Sequence, residues 1–387
     1  MFLNSIVKLG AFFYLINNFI FSITYLNKYS NIIFLLLVSV FLFFIIIEIR
    51  ITRDVILNKI FRFYFFANLI NLIYFIVFDG MQFQSLKYLA ARFVGLTIFS
   101  LSIFYNFNFY KDRFLRIIVY LIAFVGLLSV FLFPFNFSDS TRYMGLVGNP
   151  NELGIMMSIG VGIVYNLNFK KYFKVFLLWL FVSLVLYSGS RGALLGVVLA
   201  FFIKHGFNLG FFMRLFIFLI LAYSLSTLLG IQTGIDRFLE GDLLSNRVNE
   251  INYAIITLKN NFYTGYGLSQ YSYIDQSLID VDTRSYDLIT AHNGYLAVLV
   301  QYGVIFGILF FLNVFVSLFK ILKHYWFDFS KDNHVKVYLF FIFYALMSSF
   351  FESIMAGINN ILTSLFWFSF AYLSYYYNCF SNNKSEL

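Results

Sequence analysis

Apolar residues run along this chain in stretches of about 20, close to the length a helix needs to cross a bilayer, and short clusters of charged or turn-forming residues separate them. Asn31 to Ile49, Phe63 to Phe78 and Val337 to Phe350 show the pattern most clearly. Helices are the elements that suit so few turns, because each one satisfies its own backbone hydrogen bonds in hydrocarbon. The pattern predicts an all-α, polytopic integral membrane protein of about twelve spans. They are placed at 6–25, 31–49, 63–79, 86–105, 115–133, 151–167, 173–189, 191–204, 209–229, 292–319, 337–357 and 360–378. One polar stretch, 230–291, interrupts the series. The chain therefore reads as a single membrane domain over 1–387 with one large extramembrane loop between the ninth and tenth spans.

Inside that loop, Val248, Ile251, Ile255 and Leu258 recur at helical spacing. They predict a helix from Ser245 to about Asn260 whose apolar stripe lies on the membrane or on the bundle. Asn260-Asn261 and Gly265-Tyr266-Gly267 supply its exit turn.

Composition agrees with the pattern, since 61% hydrophobic and 12% charged residues do not describe a soluble domain. Charge then sets the orientation. With the N-terminus inside, the only basic residues outside the inner segments are Lys28, Lys87, Arg92, Arg142, Arg191, Arg237, Arg247, Lys259 and Arg284, out of 27 in all. Both termini are thus predicted cytoplasmic, in a cytoplasmic (inner or plasma) membrane, with 230–291 on the periplasmic or extracellular side. The net charge of +9 belongs to this inner collar, which suits anionic lipid headgroups. No basic cluster looks like a nucleic-acid footprint. The first span has no cleavage site after it and reads as uncleaved. The single cysteine, Cys379, excludes an intramolecular disulfide and a thiolate metal cage.

Three polar motifs fall at predicted outer ends of spans, each at the N-terminal end of a helix. Arg142-Tyr143-Met144-Gly145, followed by Gly148-Asn149-Pro150-Asn151-Glu152-Leu153-Gly154, opens the sixth span. Ser188-Gly189-Ser190-Arg191-Gly192-Ala193 forms the turn before the eighth, and His292-Asn293-Gly294-Tyr295 opens the tenth. Free backbone N–H groups and the positive end of the helix dipole attract phosphate at such ends. Arg191, Arg142 and Arg247 add guanidinium groups that match phosphate geometry. The pairs Gly192/Gly196 and Gly303/Gly307 are expected to pack the eighth span against the tenth and bring Arg191 and His292 to one cavity.

Simpler roles compete at each position. Boundary arginines anchor spans, Glu152 suits a helix-start carboxylate, Asn149-Pro150 suits a helix-opening turn, and His292 suits a cap for its own helix. Tyr263, Tyr266, Tyr271, Tyr273 and Tyr286 suit interfacial anchors as well as stacking on sugars. His205, His324 and His334 fall in inner loops, where a solvated role is the default. Asp280-Val281-Asp282 reads as a solvated loop. Arg92 and Glu352 are the exceptions among spans otherwise poor in deep ionisable groups.

The serine-x-serine-arginine-glycine turn, the arginine-led helix with its Gly-Tyr-Gly exit, and His-Asn-x-Tyr-Leu before a glycine pair together resemble the O-antigen ligase and polymerase superfamily. The resemblance covers roughly Arg142 to Gly307. It implies a metal-independent membrane glycosyltransferase that needs no cofactor and takes undecaprenyl-diphosphate-linked oligosaccharide as donor and acceptor on the outer face. The residues matching the family's catalytic set are His292, which activates the acceptor hydroxyl, with Arg191 and Arg247, which hold the diphosphate. Arg142, Asn149 and Glu152 match an element of the polymerase-like members, and Asn151 beside them is an expected substrate contact. Ser190, Asn293, Tyr295 and Tyr266 complete the expected substrate contacts. A repeat-unit polymerase for O-antigen (lipopolysaccharide) or capsular polysaccharide is the expectation, with the ligase and a lipid-linked oligosaccharide flippase as alternatives. Membrane lipids, a flippase and a chain-length regulator are the expected partners.

Overall fold

The computed structural model describes residues 7–134, 136, 142–206, 245–278, 290–325 and 332–384, with isolated positions at 210, 213, 217, 220, 221 and 224. Among them the helices are α1 (Gly10–Ser22), α2 (Asn27–Ile47), α3 (Ile49–Ile56), α4 (Arg62–Val77), α5 (Phe83–Asn108), α6 (Phe114–Leu132), α7 (Pro150–Asn166), α8 (Lys171–Ser188), α9 (Arg191–His205), α10 (Ser245–Asn260), α11 (Gly294–Tyr325), α12 (Asn333–Ser348) and α13 (Ile361–Lys384). The described residues contain no strand, only an isolated bridge between Ile23 and Val147. Each expected span except the ninth, which lies almost wholly outside the described residues, coincides with a helix. Five helical runs are long and apolar enough by themselves to cross a membrane: Asn27–Ile47, Lys59–Val77, Phe83–Leu132, Lys171–Ser188 and Gly294–Lys323.

Local chemistry sets the ends that matter for function. The Asn149 side chain accepts from the Asn151 N–H, and Pro150 fills the first position of α7, where no donor is lost. Gly189 closes α8 in the left-handed region at φ 59°, and the Ser190 side chain caps α9 by accepting from Ala193 N–H. Asn293 Oδ1 accepts from Tyr295 and Leu296 N–H at 3.0 Å and caps α11.

α7 is the axle of the bundle. Nearly every side chain from Leu153 to Val164 is buried, and α7 packs against α6, α8, α9 and α12. Small residues let the neighbours in close. A Cβ at Gly162 would stand 2.1 Å from Phe340 of α12, and one at Gly196 of α9 would stand 2.4 Å from Tyr344 of the same helix.

Three departures from the sequence reading concern this scaffold. First, α9 packs on α12, not through a glycine pair on α11: Gly192 meets nothing within 4 Å. Gly303 instead interrupts α11 with φ 68° and ψ 174°, and there the turn after α10 docks backbone to backbone. Tyr266 N–H donates to Val300 O at 2.9 Å, Gly267 N–H to Gln301 O at 3.1 Å, and Val304 N–H to Phe262 O at 2.8 Å. Second, no loop separates α5 from α6. The chain bends at Asn106 (φ −144°, ψ 37°) and continues through a π-helical turn at Phe109–Arg113. Third, the eleventh span, expected to reach 357, stops being helical at Ser348, and 349–360 is irregular backbone.

Irregular backbone among spanning helices persists only where protein groups satisfy it. The carbonyl of Ser349 accepts from Gly294 N–H at 2.7 Å, that of Phe350 from Asn293 Nδ2 at 3.3 Å, and that of Met355 from Trp367 Nε1 at 3.1 Å. Thr363 Oγ1 donates to the Ile354 carbonyl. The Ala356 carbonyl receives both Tyr88 OH and Arg92, while its N–H donates to Tyr271 OH at 3.1 Å. Arg92 is thus a strut. Its other contacts are Asn71 Oδ1 at 3.2 Å, Tyr88 OH at 3.0 Å and the Tyr302 hydroxyl.

Candidate functional site

The three helix starts singled out by the sequence meet at one end of the bundle. Arg142 lies across the turn that ends α8: its Nε donates to the Ser188 carbonyl at 2.9 Å, and a Cβ on Gly189 would touch its Cγ at 3.3 Å. Its Nη2 donates to Asn151 Oδ1 in the first turn of α7. Gly154, one turn further, lies so close to this turn that a Cβ there would come within 2.8 Å of both Ser190 Cβ and Ala193 Cβ. α9 therefore starts against α7, and Ser158 Oγ fastens it by donating to the Ala193 carbonyl at 2.6 Å.

From Asn151 the chain of contacts reaches His292. Asn151 Nδ2 donates to Glu352 Oε1 at 3.0 Å, and Glu352 Oε2 lies 3.3 Å from His292 Nδ1. In the tautomer with its proton on Nδ1, the imidazole donates to this carboxylate and Nε2 is an acceptor. Thr290 Oγ1 lies 3.3 Å from Nε2. The imidazole remains accessible: the side chains of His292 and Glu352 are 39% and 22% exposed. Glu152 stands on the same side of α7, within electrostatic range of Glu352 and near Ser22.

The segment carrying Glu352 is held against that carrying His292. Ser353 Oγ and Ser272 Oγ both donate to the Ala291 carbonyl, and the two hydroxyls lie 2.7 Å apart. Ala291 N–H in turn donates to Ser272 O at 3.1 Å. The segment between α10 and α11, the start of α11 and the break after α12 are laced together directly beside the imidazole.

The expected site residues divide by their contacts. His292, Asn151 and Arg142 join one chain of hydrogen bonds through Glu352. Arg191 occupies the first position of α9, partly exposed, on a backbone fixed by the Ser188-Gly189-Ser190 turn. Asn149, Ser190 and Asn293 are helix caps, so the cap of α11 is Asn293, not His292. Tyr295 is a structural pin, its OH donating to Leu346 O at 2.9 Å and its ring 4.9 Å from Phe350. Tyr266 pairs with Tyr273 at 5.1 Å between ring centres on the segment docked to α11. Burial and the nearby Asp275 push the phenols of both Tyr266 and Tyr273 above their ordinary pKa. Arg247 lies in the first turn of α10, but its side chain falls outside the described residues, as do Arg284, Tyr286, His324 and the Asp280-Val281-Asp282 loop.

Because Tyr295 OH binds the backbone of α12, Tyr295→Phe is expected to cost about 1 kcal/mol of stability. A slightly lower melting temperature in detergent with unchanged activity checks this. Lost activity at an unchanged melting temperature would return Tyr295 to the site.

Residues 176–312 match the family model described as O-antigen ligase. Over these residues the chain is similar to the O-antigen ligase family. The match takes in most of α8, all of α9, the segment between α9 and α11, and α11 beyond its kink, and so includes Arg191, Arg247, His292 and Tyr295. Asn151 and Glu352, which connect to His292 in this fold, lie outside the matched region on either side. No curated protein gives a significant match to the chain. That similarity supports a membrane polysaccharide-related role.

Glu352 is the candidate site residue to which sequence reasoning gave no role. It sits inside what reads as a continuing apolar span, 60 positions from the histidine it touches. The available signal was an acidic residue followed closely by Gly357 and Asn359-Asn360, poor helix formers in hydrocarbon.

Proposed function

We propose that this protein is a membrane glycosyltransferase that polymerises undecaprenyl-diphosphate-linked oligosaccharide repeats into O-antigen or capsular polysaccharide on the outer face of the cytoplasmic membrane. The observation that carries the reading is the Glu352–His292 pair at a meeting point of helix N-termini. A sugar hydroxyl is a poor nucleophile and needs a base; diphosphate departure needs fixed positive charge. His292 Nε2 takes the proton of the acceptor hydroxyl as its oxygen bonds to the anomeric carbon of the donor. The bond from that carbon to the phosphate oxygen breaks, and undecaprenyl diphosphate leaves with the electron pair. Arg191 and Arg247, with the N–H groups opening α7 and α9, balance the charge on the leaving group. Glu352 stabilises the imidazolium that results, and direct displacement inverts the anomeric configuration.

Arg142 and Asn151 act in this scheme as positioning residues, because their donors and acceptors are engaged with the protein. The Gly-Asn-Pro-Asn-Glu element thereby has a role in holding Glu352, which supports the polymerase. The family description favours the second reading, a ligase that transfers finished polysaccharide to a lipid acceptor. The candidate site lies at one end of the bundle, which argues for one-sided chemistry over a transporter, whose sites lie near the midplane.

Expression in cells lacking their own polymerase, and separately in cells lacking the ligase, separates the readings. A restored polysaccharide ladder in the first strain alone supports the polymerase, and restored attachment in the second alone supports the ligase. Rescue of neither, with lipid-linked repeats accumulating on the inner face when this gene is deleted, would turn the assignment to a flippase.

A further inference from the structure

The end of the bundle opposite His292 carries its own polar construction, about 25 Å away along the 17 residues of α7. Four helix ends meet there: the last turn of α7, the first of α8, the last of α9 and the first of α12. Lys174 Nζ donates to the carbonyls of Tyr165 at 2.9 Å and Leu167 at 3.3 Å. Lys204 Nζ lies 3.5 Å from the Asn166 carbonyl and 3.3 Å from Asn333 Oδ1. Lys336 follows Asn333 by one turn and is 9% exposed. Lys204 stands within electrostatic range of both other lysines. Among the described residues no carboxylate pairs with any of the three; Asp332, the nearest in sequence, receives the Tyr376 hydroxyl.

Lysines that cap the carbonyls ending a helix are ordinary, and capping accounts for Lys174 and Lys204. It does not account for Lys336. That cation sits in the first turn of α12, at the positive end of a helix dipole, buried beside a second cation. Both neighbours repel it, and an anion at the junction reverses the balance.

We propose that this junction binds the phosphate of an anionic phospholipid headgroup through Lys174, Lys204 and Lys336. A lipid fits better than free phosphate because α8 presents an outward aromatic strip beginning at the same level. Tyr172 is 88% exposed and Trp179, two turns on, 60% exposed. Aromatic side chains of that kind lie at the headgroup boundary and along the upper acyl chains, so headgroup and tail have adjoining places. His205, read from sequence as solvated, belongs to the same junction through a 2.7 Å bond between its Nε2 and Tyr165 OH.

Native mass spectrometry of the purified full chain, with phosphatidylglycerol or phosphatidylcholine titrated in, tests the proposal. Wild type is expected to retain phosphatidylglycerol, and the K174Q/K204Q/K336Q variant to bind it on the order of 100-fold more weakly, about fivefold per lysine. Phosphatidylcholine retention should be equal in both. Lys336→Gln alone should lose about fivefold, and the triple arginine variant should keep binding, so the answer stands even if the triple glutamine variant folds poorly. Equal phosphatidylglycerol affinity in wild type and Lys336→Gln overturns the proposal. So does retention of inorganic phosphate, added alone, by a wild type that does not hold phosphatidylglycerol.

Discussion

A Glu352→Gln variant is expected to lose about 10²- to 10³-fold of its transfer rate while keeping its wild-type level in the membrane. The reason lies in who can donate. Arg142 Nη2 occupies Asn151 Oδ1, which fixes the Asn151 amide with its Nδ2 toward residue 352. His292 Nδ1–H points at the same carboxylate from the other side. A carboxylate accepts from both; a glutamine amide offers one acceptor and one donor, so one N–H is left facing another. Relief comes most easily by turning the imidazole to the other tautomer, which puts the proton on Nε2 and removes the base. His292→Ala is expected to lose a similar amount, and the double variant little more, because the two residues act as a unit. Rates on purified protein check this. Additive losses would show that Glu352 acts apart from His292.

Gly303→Ala is expected to prevent correct folding, at a cost above about 3 kcal/mol. The backbone there, φ 68° and ψ 174°, belongs to a region that glycine alone occupies freely. A Cβ would also lie 2.3 Å from the Tyr263 carbonyl oxygen, and Gly265 opposite has the same restriction, its Cβ 2.3 Å from Gly303 N. Neither neighbour is a flexible side chain, so the segment between α10 and α11 must undock. Since that segment holds Ala291 through Ser272, the histidine is displaced with it. Gly192→Ala, with nothing within 4 Å, should fold normally and serves as the control. Abundance in the membrane and protection of the segment between α10 and α11 from protease read the effect. Wild-type levels and protection in Gly303→Ala would contradict it.

These two positions also show where the sequence could be read and where it could not. Apolar run length located the helices well, because the cost of unsatisfied backbone in hydrocarbon leaves few other solutions. The helix-start motifs were legible for the same reason: Asn149-Pro150, Gly189-Ser190 and Asn293 are local signals. Gly303 and Gly307 were misread because a glycine pair four apart looks the same whether it serves helix packing or a break, and only the docked turn decides. The end of α12 was misplaced because Phe350, Phe351, Ile354 and Met355 continue the apolar pattern. The groups that make irregular backbone tolerable there, Arg92, Tyr88, Tyr271 and Trp367, come from distant parts of the chain. Glu352 was hidden by that error, and with it the link between Asn151 and His292.

The central claim is that His292 serves as the base in a transfer from a lipid diphosphate. Purified protein in nanodiscs, given a lipid-diphosphate-linked repeat and a chelator, tests it most directly. Wild type should build polymer with inverted anomeric linkage and release undecaprenyl diphosphate, and His292→Ala should do neither above background. Polymer formation by His292→Ala at the wild-type rate, or a retained anomeric configuration, would contradict the account.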